Sequence, residues 1–240
     1  MTLMDTTEKL WRDRALIEAL IDDPSRLGPD LQPLKDLTSD AVVGWKATGS
    51  GQRGTDLDST LALLVSAQST GLLERLDWSF RCLAFEAFAA SDLTGELHLT
   101  PEPDTFGSPC PPRLATTFGR ARRALRIAAE VHDEAFAHPG LEAAVAEWRG
   151  WGWRVVVSDV AHLADAALLR RLDLLRPDVV SVDVSRPANA RLEELLAWAG
   201  VAGVELHATG VDSDAGRRQA LALGATVGRG RLLGGPSRLP

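Results

Sequence analysis

Two histidines and an aspartate are the residue types in this chain that could hold a transition metal: His98 in "ELHL", His207 in "GVELHATG" and Asp159 in "VVVSDV". Two imidazoles and a carboxylate suit such an ion. They sit in three separate apolar runs, however, and no helical HxxxH or HExxH spacing supports them. A core histidine satisfied by its neighbours is the simpler expectation for His98 and His207. A second possible chemistry is anion binding. Lys46 closes the apolar start of "VVGWKATGSG" (42–51), where a strand hands the chain to a small, flexible loop. "GRGRLLGG" (228–235) has the glycines of a phosphate loop but does not lead a strand into a helix. "RARR" (120–123) is expected to be a solvated face, and Trp148, Trp151 and Trp153 of "EWRGWGWR" to pack beneath a core strand. His132, His138 and His162 fall in helical or loop contexts and are expected at the surface.

Composition narrows the classes. The net charge of −7 argues against direct nucleic-acid binding, which calls for a basic patch or stripe. Only Lys9, Lys35 and Lys46 are lysines among many arginines, the mark of GC-rich, bacterial coding. Cys82 and Cys110 make no disulfide framework. No apolar run is long enough to span a membrane and the N-terminus has no signal pattern, so a cytoplasmic location is expected.

The elements that must position these residues alternate along the chain. Residues 7–21 form an amphipathic helix with Leu10, Ile17, Leu20 and Ile21 on one side. "LQPLKDLTSDAVVGWKA" (31–47) makes two strands around the turn residues Thr38-Ser39-Asp40. Helical periodicity follows at 58–69 and 72–90, the second with Leu73, Leu76, Phe80, Leu83 and Ala87 on one face. Then come "ELHL" (96–99), a Pro-rich loop (101–112), a short helix near 113–122 and "LRIA" (125–128). "RVVVSDV", "VVSVDVS" and "GVELHATG" are strands, each followed by a helix (164–175, 188–199, 214–223), and "ATVG" (225–228) is the last strand. Eight strands with helices between them predict an α/β fold, a (β/α)8 TIM-like barrel with an antiparallel first hairpin, as a single domain over 1–240.

This order, with its local strings, resembles the EAL domain, the bacterial cyclic-di-GMP phosphodiesterase module, from about residue 14 onward, with 1–13 as an extension. "LQPLKDLTSDAVVGWKA" is similar to the family's "YQPIVDLxTGxIVGxEAL", and "LLVSAQSTGLLERLDW" to "FIPLAEETGLIxxLxxW". "LHLTP" resembles "VNLSP", "LRIAAE" "LEITE", "VVVSDV" "LALDDFG" and "VVSVDVS" "VLKIDxS". "LHATGVDSDAGRRQALALGATVGRGRLLGGP" tracks "VAEGVETxEQLxxLxxLGxxxxQGYxFxxP".

The resemblance implies two divalent cations held at the strand ends by acidic and amide side chains, activating a water against a phosphodiester. Matched motif by motif, those positions are occupied here by Lys46, His98, Arg126, Ser158, Asp159, Ser181, Thr209 and Arg229. Lys46, Arg126, Ser158, Asp159 and Thr209, standing where five carboxylates are implied, carry a net +1. The expectation is an inactive member with no catalytic residues, no metal and no cofactor. Gln32, Lys46, Arg126, Asp159 and Arg229 remain as candidates for a metal-free site taking a cyclic dinucleotide or another anion. The alternative is that an ion pair, Lys46–Asp159 or Arg126–Asp159, closes the old site. Asp183 is retained from its motif, and residual hydrolysis or a new reaction using Lys46, Asp159 and Asp183 is the competing enzyme reading. With no sensor or output domain in the sequence, the expected role is regulation through a separate protein partner, with homodimerisation a further option.

Overall fold

The computed structural model describes residues 3–23, 26–52, 54–159, 166–187 and 190–238. In chain order the elements are α1 (Leu3–Asp22), β1 (Gly28–Asp36), β2 (Val42–Ser50), α2 (Thr60–Thr70), α3 (Leu73–Ala90) and β3 (Glu96–Leu99). They continue with α4 (Ala115–Ala124), β4 (Arg126–Val131), α5 (Leu141–Gly150), β5 (Arg154–Ser158), α6 (Ala166–Leu175) and β6 (Val179–Asp183). The last are α7 (Ala190–Ala202), β7 (Glu205–Thr209), α8 (Asp214–Ala222), β8 (Val227–Gly228) and β9 (Ser237–Arg238).

Strands β2 to β8 are parallel neighbours in sequence order, and β1 closes the ring antiparallel to both β2 and β8. The expected eight-strand barrel with an antiparallel opening hairpin is therefore observed. Asp36 fixes that hairpin: its carboxylate accepts from the Thr38 and Ser39 backbone N–H groups and the Ser39 hydroxyl. β9, at the end of the glycine-rich tail, adds to β1 at Asp30 and Leu31. Within that tail Gly230 is dictated by space, since a Cβ there would lie 2.4 Å from the Val211 backbone.

Side-chain alternation sorts each strand into two faces. Ile127, Ala129 and Val131 of β4, with Val155 and Val157 of β5 and Val180 and Val182 of β6, join the core packed beneath the helices. Their alternates face the axis. Ala128, Val156 and Val179 form one apolar layer inside the barrel, and Glu130, Ser158 and Ser181 lie one step nearer its C-terminal end. That layering is typical of such barrels.

Helix α3 is buried on two sides, not one. Leu73 and Leu76, with Phe80 and Leu83 beside them, join Ile17, Leu20 and Ile21 of α1 in a separate small core. Trp78, Cys82, Phe85 and Phe88 face the barrel. Leu10, expected on the buried side of α1, is instead exposed. Helix α5 is an addition to the expected elements, with Leu141, Ala144, Val145 and Trp148 buried at helical spacing. The tryptophans do pack: Phe118 meets Trp151 at 4.9 Å and Trp153 at 6.2 Å between ring centroids. Arg122 of "RARR" lies over the Phe118 ring at 5.6 Å, so that stretch is more than a solvated face. His162, and the first residues expected for the helices at 164 and 188, lie outside the described residues.

Candidate functional site

In a barrel of this kind the C-terminal strand ends are where side chains converge. Here they converge on Glu130. Its side chain is 2% exposed and comes from the penultimate residue of β4. Lys46 Nζ, from β2, donates to its Oε2 at 2.8 Å. Arg229, just past β8, donates to Oε1 at 2.6 Å. The Ser158 hydroxyl of β5 donates to the same oxygen at 2.7 Å and itself accepts from Ser181 of β6 at 2.9 Å. His98 Nδ1 stands 3.8 Å and His132 Nε2 3.4 Å from the carboxylate. Lys46 also donates to the Thr100 hydroxyl.

Burial opposes ionisation of Glu130, but Lys46 and Arg229 outweigh it and hold the carboxyl well below the usual range. Burial also lowers the Lys46 ammonium against the pull of Glu130. Deeper in, His98 bridges two carboxylates, its Nε2 lying 3.1 Å from Glu96 Oε2. Burial would lower its pKa, yet the neighbouring carboxylates of Glu130 and Glu96 raise it. Its stacked neighbour His207, 6.3 Å away between ring centroids, is pushed down to about 4, by burial and then by the His98 charge. Arg154 closes the lower end, 3.4 Å from Glu96 and 2.8 Å from Glu205.

Two expectations are corrected. Arg126 does not reach this site: it is the first residue of β4, exposed at the opposite end of the barrel and in register with Glu96. Arg126 and Glu130 share the inward face, but four residues of strand separate them by roughly 13 Å along the chain. Nor is the closing ion pair made with Asp159. Lys46 and Arg229 both pair with Glu130, while Asp159, at φ 60°, accepts from the Thr209 hydroxyl at 2.7 Å. With Glu130 supplied by β4, the five strand ends carry one cation and two carboxylates, net −1 instead of +1.

The other candidates fall around this centre. Gln32, opposite Lys46 in the β1–β2 register, donates to the Gly234 carbonyl at 3.1 Å. Asp183 accepts from the Ser185 backbone and hydroxyl and from Arg186, holding the loop after β6. His132 and His138 line the barrel mouth, and His138 accepts from the Gly140 N–H at 3.1 Å.

A divalent cation does not fit the centre. Both oxygens of Glu130 already bond to cationic side chains, and the cavity left between His98, Glu130, Ser158, Ser181, His207 and Arg229 measures about 10 Å³. That is room for one water at most. Among the described residues no group of three or more His, Cys, Asp or Glu is arranged to hold an ion.

Above this filled centre the mouth stays open as a groove of about 1100 Å³. One wall is α2, with Leu61, Leu64 and Val65; another is the 100–104 loop, with Glu102 and Asp104; the 132–139 segment and Asp159 complete it. Glu102 is pushed up to about 7, chiefly by burial and then by the Asp77 carboxylate, with Glu134 and Asp104 adding to the effect and Arg81 opposing it. A carboxyl raised from its ordinary value favours the folded state in its protonated form. Its contribution to stability is therefore lost as pH rises from about 4.5 towards 7. Glu102→Gln removes this term, so the variant gains on the wild type by roughly 2 to 3 kcal/mol between pH 4 and pH 8. Paired urea titrations at the two pH values measure it, and an equal difference at both would contradict the assignment.

Comparison with protein-family models finds no match, and comparison with curated proteins finds none. Solved structures do match. The Xanthomonas citri FimX EAL domain in complex with c-di-GMP superposes with a TM-score of 0.81 at 14% identity, over 98% of this chain and 97% of that one. The Bacillus subtilis YkuI protein, with an EAL domain and in complex with substrate c-di-GMP and calcium, gives 0.76 at 16%, over 93% and 58%. A standalone EAL protein from Vibrio cholerae O395, in its c-di-GMP-bound form, gives 0.68 at 17%, over 88% and 92%. At these identities the likeness is one of fold, and the fold is the EAL-type barrel.

Proposed function

We propose that the protein is a catalytically inactive member of the EAL group, acting in bacterial signalling through contact with a protein partner. The observation that supports this most directly is the saturation of Glu130. The carboxylate buried at the centre of the barrel is bonded through both oxygens to Lys46, Arg229 and Ser158, and the two cationic side chains already on it oppose the approach of a metal ion. Without an ion there is no activated water and no counter-charge for a phosphodiester.

The open groove favours a second reading, a metal-free receptor for a small ligand. An anionic dinucleotide suits it poorly. Lys46 and Arg229 are committed to Glu130, Arg126 is at the far end, and Glu102, Asp104, Glu134 and Asp159 line the groove. Protein contact is therefore the stronger reading.

Calorimetric titration with cyclic-di-GMP, with and without Mg²⁺ or Mn²⁺, and a check for hydrolysis product test both. The expected result is no turnover and no binding in the micromolar range. Metal-dependent hydrolysis would overturn the proposal. Metal-free binding without hydrolysis would replace it by the receptor reading.

A further inference from the structure

The groove at the mouth has an apolar wall that the fold leaves uncovered. On α2, Leu61 is 73% and Val65 60% exposed, one helical turn apart, although the other side of the same helix is buried. Ser69, a further turn on, belongs both to the groove and to an adjoining hollow of about 480 Å³ formed with Leu10 and Trp11 of α1, and Trp11 is 70% exposed. From Leu61 to Ser69 this strip runs about 12 Å, two turns of helix. Facing it is a wall of opposite character. The 100–104 loop and the 132–139 segment bring the Glu102, Asp104 and Glu134 carboxylates, and Arg186 is the one guanidinium among the described lining residues. Arg186 is itself bonded to Asp183.

Charge selects the occupant. An acidic wall repels nucleic acid, phosphates and anionic lipid, and attracts ammonium and guanidinium groups. An apolar strip beside it rewards burial of aliphatic or aromatic side chains. A second copy of this chain supplies no such partner readily: on its most basic helix, α4, the apolar Phe118 and Ala121 are buried. We propose that this groove docks a short, positively charged amphipathic segment of a partner protein. Its apolar side chains lie along Leu61, Val65 and Trp11, and its lysines or arginines meet Asp104 and Glu134. The partner class rests on the protein-contact reading above; the choice of surface and of partner charge goes beyond it.

The test uses the full chain and three labelled fifteen-residue peptides, one of alternating Lys and Leu in helical register, one with Glu for every Lys, and one with Ser for every Leu. Only the Lys/Leu peptide is expected to bind by fluorescence anisotropy. Leu61→Ser/Val65→Ser should weaken it by about tenfold or more, about 1.4 kcal/mol or more. Asp104→Asn/Glu134→Gln should weaken it by roughly fivefold at low salt, with the gap closing in high salt as exposed charges are screened. All these positions are at the surface or groove rim, and circular dichroism checks that the variants fold. Equal binding of the Glu/Leu peptide, no binding of the Lys/Leu peptide, or variants that bind like the wild type would each overturn the proposal. So would sedimentation showing that the wild type pairs with itself through Leu61 and Val65. Hydrolysis of cyclic-di-GMP measured in parallel separates the two readings. Turnover together with peptide binding removes the inactive reading and keeps the groove, and neither result removes the groove alone.

Discussion

Glu130→Leu is expected to cost the protein about 4 kcal/mol or more of stability, the largest effect of any single substitution at the barrel mouth. Removing one partner of a buried ion pair typically costs about 3 to 5 kcal/mol, because the charge left behind has neither water nor a counter-ion. Here one carboxylate serves both Lys46 and Arg229, with His98 close by, so the substitution strands several cationic groups together. Urea unfolding followed by circular dichroism measures the loss as a shift in midpoint. A loss below about 1 kcal/mol would show that the pairs contribute little. The rescue is equally specific: adding Lys46→Met and Arg229→Leu removes the stranded charges, and buried ion pairs replaced by apolar groups of similar volume are often neutral. The triple variant should therefore be more stable than Glu130→Leu alone. The pH dependence has a definite sign. Glu130 is held below its ordinary value, so its contribution is present above about pH 4.5 and is lost as pH falls through its depressed folded value. His98 is shifted the other way, so its contribution is present below about pH 6.5 and fades as pH rises through its raised value.

Asp77→Ala is expected to cost about 3 kcal/mol and to loosen the groove at the same time. Asp77 and Arg81, one turn apart on α3, form a buried ion pair. Thr105 joins them, accepting from Arg81 at 2.8 Å and donating to Asp77 at 2.7 Å, and its hydroxyl also lies 2.7 Å from the Glu102 carbonyl. The Arg81 guanidinium sits 4.6 Å from the Trp78 ring centroid, and its Nε has no hydrogen-bond partner. Taking away the carboxylate leaves that cation buried against the Trp78 ring and the Thr105 hydroxyl with no counter-charge bonded to it. The loop bearing Glu102 and Asp104 then loses one of its ties to α3, the Thr105–Asp77 bond, while the bonds from Arg81 to Thr105 and from Trp78 to Ser108 remain. Asp77→Asn keeps an acceptor and should lose about half as much. Limited proteolysis reports the loop directly: faster cleavage near 100–108 is expected in Asp77→Ala, and unchanged protection would mean that the loop is held by other contacts.

The two networks account for how an ionic interior and an open mouth coexist. Below, Lys46, Ser158 and Arg229 bond directly to Glu130, and Ser181 joins them through Ser158. Above, a pinned loop and the outer face of α2 form the walls of a groove and meet where Gln68 donates to Asp104 at 2.6 Å. The first network fills the centre of the barrel, and the second shapes the surface above it.

Much of this was legible in the residues themselves. Apolar runs of strand length alternate with helical periodicity, the turn at Thr38-Ser39-Asp40 is too short for a crossover, and these facts determine an antiparallel hairpin feeding a parallel barrel. The same reasoning located Ser158, Asp159, Thr209 and Arg229 at the strand ends where they are found, whereas Lys46 and Ser181 stand inside β2 and β6, and the strand expected to end at Lys46 runs on to Ser50. The error at β4 has a simple cause. A slip of four residues along a strand preserves which face each side chain presents, so Arg126 and Glu130 satisfy the inward pattern equally well. Ending that strand at Ala128 hid the cue, which was the apolar–Glu–β-branched triplet Ala129-Glu130-Val131 repeating the pattern of "LEI" four positions late. Pairing lay further out of reach. The sequence offers Lys46 and Arg229 a choice of Asp159 or Glu130. Only the stagger of seven neighbouring strands sets which carboxylate stands at hydrogen-bonding distance. Periodicity along one chain determines which side of the sheet a residue faces; its height on the barrel axis, and hence its partner, is decided by registers between strands far apart in sequence.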